Sequence, residues 1–198
     1  MSQTRLRYVF LGLSITSSWG NGHATTYRAL LRALAERGHD VTFLERDLDF
    51  YAQNRDMPAP PFARTLLYRS LEELQDRFAS TLREADLVVV GSYVPDGIEV
   101  GAWAQSVAPG RCAFYDIDTP VTLAALARGA CRYLTPELVS RYALYLSFTG
   151  GPTLGLIERA YGSPCARALY CSVDPRDYFP CDGVSAFDLG YLGTYSAS

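Results

Sequence analysis

A short apolar run, Tyr8 to Ser14, enters the glycine-bearing turn Ser17-Ser18-Trp19-Gly20-Asn21-Gly22-His23, which opens into an amphipathic stretch. This order constrains the fold strongly, because a buried strand that feeds a helix through a glycine turn starts a β-α-β unit. Tyr27, Leu30, Leu31, Leu34 and Ala35 fall at i, i+3, i+4, i+7 and i+8, so one helical face is apolar, and Gly38 ends the helix. Val41 to Leu44 supplies the second strand. His39 lies in the turn between them, away from the carboxyl ends of the strands, and reads as structural.

The same alternation continues along the chain. Met57-Pro58-Ala59-Pro60-Pro61 excludes helix and central strand, and Ser70-Leu71-Glu72-Glu73 has the spacing of a capping box. The helix it opens puts Leu71, Leu74, Phe78 and Leu82 on one face. Asp86 to Gly91 is apolar on both faces, as a central parallel strand is, and a helix from near Asp96 past Trp103 follows it. Cys112 to Asp116, Ala143 to Phe148 and Ala166 to Cys171 read as further strands. Thr119-Pro120 and Thr135-Pro136 each read as an N-cap followed by proline at the first helical position. Gly150-Gly151-Pro152 turns into a helix that ends near Tyr161-Gly162. Tyr142 and Tyr145 read as core or sheet edge. The fold class is therefore α/β, a Rossmann-like parallel sheet with helices on both faces.

Asp174-Pro175 and Phe179-Pro180 disfavour regular structure, and Leu189 to Tyr195 reads as one further strand. The expected division is a Rossmann-like domain over 1–174, a linker over 175–186, and over 187–198 the first strand of a second domain.

The chain has 198 residues, 48% of them hydrophobic, and a formal charge of -3, with eighteen basic side chains that are all arginine. A core of useful size is affordable, and no basic stripe marks a nucleic-acid partner. Cys112, Cys131, Cys165, Cys171 and Cys181 show no C-x-x-C spacing, and with His23 and His39 as the only histidines no metal site is expected. The N-terminal residues lack an apolar signal core and no membrane-length apolar stretch follows, so the expected address is cytoplasmic.

In an open parallel sheet, ligands bind outside the carboxyl ends of the strands. The strand ends deliver Ser17 to His23, Ser92 and Tyr93, Asp116 and Asp118, Thr149 with Gly150 and Gly151, and Ser172 with Asp174. Gly20 and Gly22 let backbone approach a ligand, and the helix start turns N–H groups towards it, which suits phosphate or a sugar hydroxyl. The turn is not a G-x-G-x-x-G fingerprint. Glu45, Asp47 and Asp49 are too many acidic candidates to single out, and a P-loop lysine is impossible in a chain without lysine. A nicotinamide dehydrogenase and a nucleotide hydrolase both lose ground.

Several of these residues have two readings. His23 is either a base oriented by Asp116 or Asp118, or a ligand contact at a helix start. Asp116 and Asp118 either serve that pairing or cap the helix after them. Trp19 either stacks on a sugar ring or lids the cleft, or else packs on the following helix, and Gly150-Gly151 either turns the backbone or admits a ligand.

The glycine loop with Gly22-His23, the helix ending Leu34-Ala35-Glu36-Arg37-Gly38-His39-Asp40-Val41 and the late Ser172-Val173-Asp174-Pro175-Arg176-Asp177-Tyr178-Phe179-Pro180 together resemble the N-terminal half of a GT-B glycosyltransferase. The last stretch is similar to the V-D-P-x-x-[YF]-x-P interdomain segment of group 1 and spore-maturation-type relatives. The resemblance implies a hydroxyl acceptor bound by this half, a nucleotide-sugar donor bound by a second domain, and transfer between them with no obligatory metal or other cofactor. It implies acceptor or donor-phosphate contact for Gly20, Asn21, Gly22 and His23, and, as in inverting relatives, a base made of His23 with Asp116 or Asp118; from the loop and strand-end reading, Ser18, Trp19, Ser92, Tyr93, Thr149, Gly150 and Gly151 join the candidate substrate contacts. The V-D-P segment tilts the reading towards retention of configuration. The competing class is a non-catalytic α/β module that binds a small ligand or a partner through the same strand ends.

Overall fold

The computed structural model describes residues 4–180, 183 and 187–190. Seven strands form one all-parallel sheet: β1 (Arg7–Gly12), β2 (Asp40–Arg46), β3 (Arg64–Tyr68), β4 (Leu87–Gly91), β5 (Cys112–Asp116), β6 (Leu144–Ser147) and β7 (Ala166–Ala168), in the order β3-β2-β1-β4-β5-β6-β7. The helices between them are α1 (His23–Glu36), α2 (Asp49–Ala52), α3 (Leu71–Glu84), α4 (Gly97–Val107), α5 (Thr119–Ala127), α6 (Pro136–Arg141) and α7 (Pro152–Tyr161). The α/β, Rossmann-like architecture is thus present, with helices on both faces.

Period-two alternation divides the strands between two cores. Val9, Leu11, Val88, Val90, Cys112 and Phe114 face one side, where Leu74, Phe78 and Leu82 of α3, Val100 and Ala104 of α4, and Ile157 of α7 cover them. Phe10, Val89, Ala113 and Tyr115 face the other, against Tyr27 and Leu31 of α1. Gly91 has to be glycine: a Cβ there would lie 2.0 Å from the hydroxyl of Tyr27, a fully buried ring.

Local signals hold in detail at two caps. Ser70 Oγ accepts from Glu73 N–H at the start of α3, and Thr135 Oγ1 accepts from Leu138 N–H at the start of α6. Glu73 reaches back to the N–H of Arg69 rather than that of Ser70. Thr119 is not an N-cap: it is the first residue of α5, and Asp118 occupies the cap without a side-chain bond. Thr119 Oγ1 instead bonds the carbonyl of Asp116 and Ser147 Oγ.

Two elements were not expected from the sequence. β3 follows directly on the prolines and pairs along its length with β2, from Thr42↔Arg64 to Arg46↔Tyr68. It is an edge strand, which tolerates a polar residue such as Arg64 and a proline-rich approach. α2 is a single turn after β2. β7 is shorter than the run to Cys171 suggested. Residues 187–190 are not strand, and 191–195 of the expected last strand lie outside the described residues, as do 181, 182 and 184–186 of the expected linker.

The order reverses direction at β1, which has β2 on one side and β4 on the other. Loops leaving β1 and β4 therefore part in opposite directions and leave a crevice at their carboxyl ends.

Candidate functional site

The loop from β1 to α1 is built around a buried carboxylate. Glu45, at the carboxyl end of β2 and fully buried, accepts four hydrogen bonds: Ser14 Oγ at 2.9 Å, Ile15 N at 2.8 Å, Thr16 N at 3.1 Å and Thr16 Oγ1 at 2.5 Å. Charge-assisted bonds to backbone amides are strong, so the first half of the loop is fixed to the neighbouring strand. Arg28 of α1 forks onto Asp56 at 2.8 and 2.9 Å and bonds the Ile15 carbonyl, while Asp56 accepts from the amide and hydroxyl of Ser18. The Arg28 guanidinium holds the Asp56 carboxyl well below the usual carboxylate range.

The second half of the loop fastens itself. Asn21 donates to the carbonyls of Ser14 and Ser17 and accepts from the N–H of His23 at 3.1 Å, which ties the turn to the start of α1. Gly20 has φ +57°, a left-handed conformation that glycine adopts at little cost. A Cβ at Gly22 would meet nothing within 4 Å, so the backbone there is open on its outer side.

An open cleft of about 750 Å³ lies at the switch point. Gly20, Asn21, Gly22 and His23 form one wall, and Tyr93, Ile117, Asp118, Phe148 and Cys171 arrive from the ends of β4, β5, β6 and β7. His23 Nε2 stands 3.7 Å from Asp118 Oδ2, and its ring meets Tyr93 edge-on at 5.5 Å between centroids. His23 Nδ1 is buried without a hydrogen-bond partner. Burial pushes the imidazole pKa down from its ordinary value and Asp118 opposes the shift, which favours the neutral ring, the form that can accept a proton.

Tyr93 is held at φ +62°, an uncommon conformation for a bulky residue, of a kind that concentrates at functional sites. Its hydroxyl has Asp118 and Tyr133 as polar neighbours, and burial and Asp118 push its pKa up.

The structure thus brings six sequence candidates together: Gly20, Asn21, Gly22, His23, Tyr93 and Asp118. The others lie elsewhere. Asp116 is fully buried and faces inward, accepting from Tyr145 Oη at 2.6 Å, Thr122 Oγ1 at 2.7 Å and Asp118 N at 3.1 Å. Ser92 is buried and accepts from the N–H of Ile117. Ser18 is turned onto Asp56, and Trp19 stands 60% exposed outside the cleft lining. Thr149 pairs with Ser147, Gly150 makes room for the Tyr170 hydroxyl, and Gly151, at φ +66°, turns the chain into α7. Asp174 lies beside α1, paired with Arg32 and Arg176.

Sequence reasoning missed Leu13, Thr26, Ile117, Phe148 and Cys171 as lining residues. Phe148 and Cys171 are the last residues of the stretches read as strands, and that position was the available signal. Among the described residues no group of three His, Cys, Asp or Glu side chains is placed to hold a metal ion, and no helix is long and apolar enough to cross a membrane. His39, as expected, is structural: its Nδ1 accepts from the N–H of Leu6 at the amino end of the sheet.

No protein-family model and no curated protein matches the chain.

Proposed function

We propose that the cleft is the acceptor site of a glycosyltransferase of GT-B type, in which a hexosyl group passes from a nucleotide sugar to an acceptor hydroxyl. One observation carries the reading: a glycine loop at a helix N-terminus and a histidine beside a carboxylate share one open cleft at the topological switch point. The loop backbone at Gly20 and Gly22 lines the cleft and stands open to hydroxyl or phosphate oxygens.

The chemistry assigned to these residues is limited and specific. An acceptor hydroxyl within reach of His23 Nε2 gives up its proton to the imidazole as its oxygen attacks the anomeric carbon and the nucleoside diphosphate departs. Asp118 steadies the imidazolium that forms. In a retaining reaction the same pair positions the hydroxyl, whose proton passes to the departing nucleoside diphosphate as the new bond forms. The resemblance in sequence assigns the donor to a second domain, so residues 1–198 alone are expected to bind acceptor and not to turn over.

The test is a titration of the chain with a panel of sugar and phenolic acceptors and with nucleotide sugars, read by calorimetry, alongside a transfer assay. Acceptor binding that His23→Gln weakens about tenfold supports the reading, in line with one lost hydrogen bond to a polar ligand group. Robust product from residues 1–198 alone overturns the division of labour. A second reading, a non-catalytic small-ligand module, draws on the 3.7 Å separation of His23 and Asp118, which is longer than a hydrogen bond. Transfer by a chain that includes the donor domain, abolished by His23→Gln, separates the two.

A further inference from the structure

Asp116 is the candidate the cleft leaves unused, and its surroundings give it a different task. It is fully buried at the end of β5, and its carboxylate is pinned on both oxygens: Tyr145 Oη donates to Oδ2 at 2.6 Å and Thr122 Oγ1 to Oδ1 at 2.7 Å. Tyr145 is a fully buried side chain of β6, and Thr122, from α5, is also within 2.8 Å of the Tyr133 hydroxyl. The carboxylate is therefore a fixed point set by β6, α5 and the residue that follows them in the packing, Tyr133. From that point Oδ1 accepts the N–H of Asp118 at 3.1 Å, a bond from a side chain to the backbone two residues on. The bond turns the chain out of β5, so that Asp116 points inward and Asp118 points into the cleft beside His23.

We propose that Asp116 is a positioning residue, whose bond to the Asp118 amide holds the Asp118 carboxylate opposite His23 Nε2. It touches nothing in the cleft and acts only through Asp118. Without the bond, Asp118 sits in an N-cap that its own side chain does not close, with its carboxylate half-exposed and only Tyr93 and His23 beside it. The inference rests on the His23–Asp118 reading of the cleft, but not on glycosyl transfer.

Asp118, Tyr93 and Cys171 are the titratable groups that share the cleft with His23, from the ends of β5, β4 and β7. Burial lowers the imidazole pKa and the Asp118 charge raises it, so a displaced Asp118 lowers the His23 midpoint further. Burial also pushes the Asp116 carboxyl above the usual range, which makes asparagine a fair isostere of it: the amide oxygen still accepts from Thr122 and from the Asp118 N–H.

The chain has two histidines, so proton NMR of the imidazole signals gives two titration curves, with His39, at the far end of the sheet, as internal control. Asp118→Asn sets the scale by removing the charge. Asp116→Ala is expected to bring the His23 midpoint down to the Asp118→Asn value, and Asp116→Asn to restore the wild-type midpoint. Where Asp116→Ala does not fold, Tyr145→Phe decides: it keeps the ring volume, removes one anchor of the carboxylate, and is expected to lower the midpoint part of the way. An unchanged midpoint in Asp116→Ala, or in Tyr145→Phe where that variant decides, overturns the inference. So does a fall in Asp116→Asn as large as in Asp116→Ala, or a His39 midpoint that moves with that of His23. A flat titration leaves the acceptor-binding panel free to succeed, and a failed panel leaves the titration to be read on its own.

Discussion

Glu45 and Asp116 are both fully buried carboxylates at the carboxyl ends of strands, one on each side of the cleft, yet they hold their surroundings in different ways. Glu45 Oε2 receives only backbone N–H groups, from Ile15 and Thr16, and Oε1 receives only hydroxyls, from Ser14 and Thr16. All of these donors belong to the preceding strand's loop. Asp116 receives one backbone N–H, and its remaining donors are hydroxyls from α5 and β6. A backbone N–H can only donate, whereas a hydroxyl can reverse. Glu45 therefore ties the backbone of a single loop to its strand, whereas Asp116 is held by hydroxyls from two other elements.

The sharpest way to break this comparison is Glu45→Ala. It strands two buried amides and two hydroxyls at once, and is expected to cost about 4 kcal/mol in chemical denaturation, with the loop amides of 14–22 losing their exchange protection. Asp116→Ala strands fewer donors, since hydroxyls can repartner, and is expected to cost about 2 kcal/mol. Equal losses at the two positions would show that donor type does not matter.

pH separates carboxylates of opposite sense. Asp116 has its folded pKa raised above the ordinary aspartate value of 3.8, so the folded state binds more protons and stability falls as pH rises from that value towards the folded one. In Asp116→Asn this slope is expected to vanish, so the variant gains on wild type as pH rises through that window. Asp56, paired with Arg28, has the opposite sign: its folded pKa is depressed, and its contribution is present above 3.8 and lost as pH falls through the folded value. Asp56→Asn is expected to flatten the acid limb of the stability curve, by a small amount because Asp56 is 46% exposed. Denaturant midpoints measured across the acid range check both signs.

The smallest effect is expected at Trp19. The ring is mostly exposed on a loop that Glu45 and Asp56 already hold, so Trp19→Ala is expected to change stability by less than about 0.5 kcal/mol. A large loss in the same denaturation experiment would mean that the ring packs against the loop after all.

Much of the fold was legible because its signals are local. The apolar face of α1, the caps at Ser70 and Thr135, and the two-faced Leu87–Val90 run each report one element without help from the rest of the chain. β3 was harder to see, because prolines stand just before it and an edge strand needs no second apolar face. The cap at Thr119 differs for a related reason: the spacing before Pro120 allows either Asp118 or Thr119, and Ser147, on the neighbouring strand but 28 residues along the chain, draws the threonine hydroxyl away.

The site divides along the same line. That Gly20, Gly22 and His23 would stand at a strand's carboxyl end followed from the order of elements, and so did the arrival there of Tyr93 and Asp118. Which carboxylates turn inward did not follow. Glu45, Asp47 and Asp49 looked equivalent until β2 paired with β1 and carried Glu45 under the loop.

The sequence by itself determined the alternation of strand and helix, the parallel sheet, and the set of polar residues delivered to one edge, because hydrophobic period and turn chemistry are written in neighbouring residues. Only the tertiary structure decided that Asp116 would be buried and Asp118 would face His23. The two are separated by one residue in a turn with no period to read. Their directions are set by where β6 and α5 place the hydroxyls of Tyr145 and Thr122, since a buried carboxylate without such donors would be too costly to keep.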